Sequence, residues 1–158
     1  MESTPSPLDP AHAFATLSGI DLLRAMIASR VAGPSIADGM AFRLVEVDPG
    51  RALFVGTPGR AHLNPLGQVH GGWALTLIDS ACGCAAHTLL DAGVGYASVE
   101  TRCNFTRAIR PDHGEIRAEG RVIVQGRQLI TTDATMTDAD GRIVAHGSST
   151  LMVLGRRG

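Results

Sequence analysis

The residues from Trp73 to Leu90, WALTLIDSACGCAAHTLL, constrain this chain more than any other stretch. The run is long enough for a helix, and its small and apolar residues leave no side suited to solvent. A helix that is apolar nearly all round must be covered on most sides. Its single formally charged side chain is Asp79. A carboxylate in such surroundings loses hydration, and the loss is costly unless neighbours compensate it. Directly upstream lies NPLGQVHGG, residues 64–72. Gly71 and Gly72 at a helix start leave backbone N–H groups bare, able to meet an anion or a developing oxyanion.

The flanking pattern says what covers that helix. Residues 1–15 are rich in Pro, Ser and Asp and read as a mobile tail, with one domain over 16–158. Segment 19–30 has helical spacing through Leu22, Leu23, Met26 and Ile27, and Gly33-Pro34 stops it. Residues 40–48 alternate as a strand with one slip, Pro49-Gly50 turns the chain, and 51–57 return as a second strand. A loop over 58–69 leads to the central helix, about 70–91. Four long alternating runs follow, 95–109, 115–124, 127–137 and 142–154, separated by turn signals such as Gln125-Gly126 and Asp138-Ala139-Asp140-Gly141. Strands joined by tight turns make an antiparallel sheet. The arrangement predicted is α+β: a strongly curved antiparallel sheet wrapped around one long helix, the hotdog arrangement, with an extra N-terminal helix. A buried acid behind an open N–H platform is the outline of an acyl-transfer site.

Charge and thiols narrow the function classes. The net charge of −1 argues against a chain built around the phosphates of nucleic acid. All 14 basic residues are arginine, which favours planar phosphate contacts where a contact exists. The three cysteines, Cys82, Cys84 and Cys103, lack the second ligand pair a zinc site needs, so no metal is expected and core thiols are the simpler reading. An odd count without a secretory signal points to reduced thiols and a cytoplasmic location. No stretch is long and apolar enough to span a membrane.

The set Asn64-Pro65, Gly67, His70-Gly71-Gly72 and Asp79, nine residues after the histidine, resembles the PaaI-type acyl-CoA thioesterases of the hotdog fold, relatives of phenylacetyl-CoA and hydroxybenzoyl-CoA thioesterases. Ser98, Asn104-Phe105, Arg107, Arg110-Pro111 and Gly141 to Ala145 are weaker matches, and the likeness spans nearly all of the chain beyond the tail. The resemblance implies an acyl-CoA substrate, no metal, and no cofactor beyond the coenzyme A of the substrate itself. By position it makes Asp79 the nucleophile or the general base, and the Gly71 N–H the group that polarises the thioester carbonyl. Asn64 would orient water or the acyl group, or else only shape a turn. His70 would contact the thioester, or else only brace the loop. Ser98 would assist the water, or else be an ordinary strand serine. Gly72 would help bind the substrate and Trp73 would border the acyl group, or else Gly71 and Gly72 serve only close helix packing and Trp73 only the core. Arg107, Arg110 and Arg127 would meet coenzyme A phosphates, or else stand as solvated strand ends.

Helix geometry adds a constraint. Gly71 and Asp79 are eight positions apart, roughly 12 Å along one helix axis, while reacting atoms must come within about 3.5 Å. A second copy of the chain, its helix reversed, would bring its Asp79 to this Gly71. The expected assembly is therefore a homodimer, or a dimer of dimers, with shared sites. Two rival readings stand beside this one. A hotdog enoyl-CoA hydratase or dehydratase wants an acid ahead of Asn64-Pro65, where none stands. A non-catalytic acyl-CoA-binding sensor wants a DNA-binding module, for which residues 1–39 are too short and insufficiently basic.

Overall fold

Helix α1 (Pro10–Thr16) lies, but for its last residue, inside the segment read as a mobile tail. The structure, a computed structural model, describes residues 8–155, so residues 1–7 of that expected tail lie outside the described residues. The helix is set up locally. The Asp9 carboxylate accepts from the His12 N–H at 2.9 Å, and Pro10 fits the first turn. It survives because Ala13 is fully buried against Leu22, Ala25 and Val31. Helix α2 (Gly19–Ile27) starts at a Ser18 cap and buries Leu22, Leu23 and Ala25. It stops before residue 30 because Ser29 adopts a left-handed φ of 56°. A short helix α3 (Ser35–Gly39) then leads into the sheet.

Six strands form one antiparallel sheet: β1 (Phe42–Asp48), β2 (Arg51–Gly56), β3 (Gly95–Phe105), β4 (Ile116–Gln125), β5 (Leu129–Thr137) and β6 (Ile143–Leu154). Their spatial order is β1-β2-β4-β5-β6-β3. The slip legible in the first strand is a break in register between Leu44 and Glu46. Helix α4 (Gly71–His87) lies on the concave face. Leu77, Ile78, Ala81, Cys82 and Ala85 are fully buried in one core with Phe54, Ala118, Ala134, Met136 and Ala145 of the strands. The α+β hotdog arrangement read from the sequence is the one present, with more N-terminal helix than expected. No described helix is long and apolar enough to cross a membrane.

Two features of this frame position the site. β4 comes so close to α4 that a Cβ on Gly120 would stand 2.2 Å from the Ala81 carbonyl oxygen. Among the described residues β3 is an edge strand, paired only to β6, and its Val99 and Phe105 are 61% and 59% exposed. Replacing Gly120 by valine forces strand and helix apart. Gly120→Val should cost about 3 kcal/mol in urea unfolding. A cost below about 1 kcal/mol would show that the backbones do not meet there.

Candidate active site

The start of α4 is built by the loop before it. The Asn64 side-chain oxygen accepts from the N–H groups of Leu66 (2.9 Å) and Gln68 (3.1 Å), and Asn64 N–H donates to the Gln68 carbonyl at 2.7 Å. Gly67 supplies the φ of +75° that this closure needs. Asn64 is thus the fastener of the 64–68 turn, with its amide NH2 still unengaged by any described residue. His70 is the helix N-cap. Its Nδ1 accepts from Gly72 N–H at 2.9 Å, so the ring proton of the neutral form sits on Nε2. That bond occupies Gly72 and leaves the Gly71 N–H with no partner among the described residues. The Phe105 ring covers this position: a Cβ on Gly71 would lie 3.0 Å from its Cζ.

Around Gly71 is a cavity of about 460 Å³ that also touches Gln68, His70, Phe105 and Arg107. Arg107 is exposed and forms no ion pair with a described residue, so its charge is available to a ligand. Arg110 lines the adjoining cleft with Arg142 and His113, but it pairs with Asp112 at 3.4 Å. Arg127 stands in the β4–β5 turn and lines no cavity named here. Trp73 is also elsewhere. It is 1% exposed, its Nε1 donates to the Met40 carbonyl at 2.7 Å, and it packs into the core beside Phe42 and Gly56.

Asp79 occupies the middle of α4 and faces a different cavity, about 580 Å³, among Leu23, Met26, Phe42, Leu44 and Phe54. The carboxylate is half-buried. Ser98 Oγ donates to its Oδ1 at 2.9 Å, and Thr101 Oγ1 donates to the same oxygen at 2.7 Å. No described residue donates to Oδ2. Ser98 and Thr101 are three apart on one strand and would normally face opposite ways. A register break between Ser98 and Glu100 inserts Val99 as an extra residue and turns both hydroxyls to the helix. Thr101 was missed by sequence reasoning for that reason: the period-2 pattern assigns it to the other face, and no local signal marks the bulge.

Neighbouring thiols are chemically quiet. Burial, with the Asp79 charge beside it, pushes the Cys84 thiol up to about 12. Burial likewise takes Cys82 to about 11. Neither is a thiolate near neutrality, which removes them as nucleophiles. His87, at the last turn of α4, has its pKa lowered by burial and packs edge-on against Tyr96 at 5.5 Å. Asp79 and the N–H of Gly71, which has no partner among the described residues, thus line separate cavities of one chain.

Comparison with known proteins follows the same lines. The family model described as "Thioesterase superfamily" matches residues 66–145. Acyl-coenzyme A thioesterase 13 of Homo sapiens is 31% identical over 109 residues, 68% of this chain and 76% of that protein. A thioesterase family protein from Silicibacter pomeroyi superposes with a TM-score of 0.74 at 27% identity, over 84% of this chain and 98% of the other. A hypothetical thioesterase protein from Streptococcus pneumoniae, solved with coenzyme A, superposes at 0.67 with 25% identity, over 74% and 91% of the two chains.

Two substitutions test the loop. Asn64→Asp keeps the oxygen that closes the turn and should leave the thermal midpoint within a few degrees of wild type. Asn64→Ala removes it and should cost about 1–2 kcal/mol. Equal stability of the two variants would show that the turn does not depend on that side chain. Treatment with iodoacetamide at pH 7 should leave activity intact, and rapid inactivation would restore a thiol to the mechanism.

Proposed function

The chain belongs to the thioesterase superfamily, and from that premise we propose that it hydrolyses acyl-coenzyme A thioesters to a free acid and coenzyme A. The observation that carries the reading is Asp79. It is a carboxylate tethered through one oxygen to Ser98 and Thr101, with the other oxygen open beside an apolar cavity. In the proposed reaction the thioester carbonyl oxygen accepts the Gly71 N–H, whose position at a helix start favours developing negative charge. Asp79 acts in one of two ways. As general base it takes a proton from water while the water oxygen bonds to the carbonyl carbon. The tetrahedral intermediate then expels the coenzyme A thiolate, which recovers the proton. As nucleophile it bonds to the carbonyl carbon itself, expels the thiolate, and the resulting anhydride is hydrolysed. Label found in Asp79 after a single turnover in ¹⁸O-labelled water would establish the nucleophilic route, because only attack of water on the Asp79 carbonyl of the anhydride can leave it there.

The proposed substrate pose follows from what each cavity offers. The acyl group fits the apolar cavity beside Asp79, and the phosphates of coenzyme A fit the side of the helix start where Arg107 and Arg110 stand. Asn64, His70 and Gly72 support the pose by fixing the loop that presents Gly71. The proposal includes a homodimer. Gly71 and Asp79 line different cavities of one chain, and the edge strand β3 carries exposed Val99 and Phe105. An antiparallel β3–β3 pairing about a twofold axis would cover that edge and set two reversed α4 helices side by side.

Asp79→Asn should lower kcat by about 10²–10⁴-fold on a good acyl-CoA while the fold is retained. Near wild-type turnover would remove Asp79 from the chemistry. Co-refolding Asp79→Asn with Gly71→Val chains should recover activity through one intact shared site per heterodimer. Inactive heterodimers, shown to have formed, would count against a site built from two chains.

A further inference from the structure

Behind Asp79 lies a run of hydroxyls in a place where an apolar core would serve the fold as well. Ser149 of β6 is 3% exposed and faces α4 from the inner side of the sheet. It is the register partner of Thr101 across β3–β6, and their side-chain oxygens are 3.0 Å apart. Ser149 Oγ also reaches the Glu100 carbonyl at 2.9 Å. Buried hydroxyls cost desolvation and return little net stability even when bonded. Valine at 101 and alanine at 149 would fill comparable space without that cost.

The protons can be counted. Thr101 and Ser149 have one hydroxyl proton each. Among the described residues the only carboxylate in reach of Thr101 is Asp79, and the Thr101 proton goes to its Oδ1 at 2.7 Å. The Ser149 proton is then shared between the Glu100 carbonyl and Thr101 Oγ1. The Thr101 proton is thus committed to the carboxylate, while Ser149 Oγ, anchored on the Glu100 carbonyl, seats Thr101 Oγ1 from behind. The Thr101 bond is shorter than the Ser98 bond and is braced from behind, whereas Ser98 is exposed. A carboxylate on a freely rotating χ2 presents its oxygens indifferently. One held through Oδ1 presents Oδ2 to the cavity continuously.

We propose that Thr101, braced by Ser149, is a positioning residue that fixes the rotation of the Asp79 carboxylate and so aims Oδ2 at the reacting centre. The inference rests on the assignment of Asp79 made above. It adds a residue that acts through Asp79 without touching substrate, and it makes the Val99 bulge a functional feature, since without it Thr101 would face away.

The test compares Thr101→Val, which keeps the branched shape, with Thr101→Ser, which keeps the hydroxyl. Thr101→Val should lower kcat about 10- to 100-fold with KM within twofold of wild type. Thr101→Ser should recover most of that loss. Wild-type kcat in Thr101→Val overturns the proposal, and so does a loss that Thr101→Ser fails to recover, because packing alone would then explain it. Should Thr101→Val not fold, Ser149→Ala carries the test: it unbraces Thr101 and should lower kcat by about threefold or more at unchanged KM, and full activity overturns the proposal. Asp79→Asn, assayed in parallel, keeps the two claims apart. If it is active, the assignment of Asp79 fails. If it is inactive while Thr101→Val is fully active, only the role of Thr101 fails.

Discussion

Enclosure of α4 by the concave face of the sheet is the contact on which the rest of the structure depends. The helix is too apolar to stand in water, and the sheet closes on it tightly enough that Gly120 has no room for a side chain. Close packing of this kind holds α4 in a fixed rotation. The rotation decides which side chains meet the sheet and which meet the cavities. Trp73, Leu77 and Ala81 are spent on the core. Asp79 is left at the margin, near enough to β3 to be held by hydroxyls and far enough out to face a cavity.

The same fixed helix separates two kinds of chemistry by its length. Its start offers an N–H with no partner among the described residues, with Phe105 above it and arginines to one side. Its middle offers a carboxylate. A helix is rigid over this span, so roughly 12 Å along the axis cannot be closed by local motion. Complementary halves that one chain keeps apart are what a twofold axis can bring together, and the uncovered β3 edge supplies a place for that axis.

Much of this was legible from the residues. The apolar run with one acid, the glycines before it and the alternating segments after it led to the hotdog arrangement, and the resemblance of the residues from Asn64 to Asp79 to PaaI-type thioesterases led to the family. What was not legible depended on tertiary context. Helix α1 looked like a tail because its composition is polar at the start, yet Ala13 finds a buried seat against α2. The sequence left Trp73 between bordering the acyl group and packing in the core, and only the folded chain shows its indole N–H bound to the Met40 carbonyl in the core. Asn64 could be placed in the motif, while its bonds to the 64–68 turn appear only once the loop is closed. Thr101 was hidden by a single inserted residue, because a bulge changes which side chains share a face without changing composition.

The central claim is that a thioester is held at Gly71 of one chain and attacked with the help of Asp79 from another. A crystal structure with an inert ketone or thioether analogue of an acyl-CoA tests it directly. The account predicts a homodimer in which the analogue's carbonyl oxygen, in the ketone, lies about 2.7–3.1 Å from the Gly71 nitrogen and faces the neighbouring chain's carboxylate. A carbonyl bound away from Gly71, or one faced by Asp79 of its own chain, would contradict it.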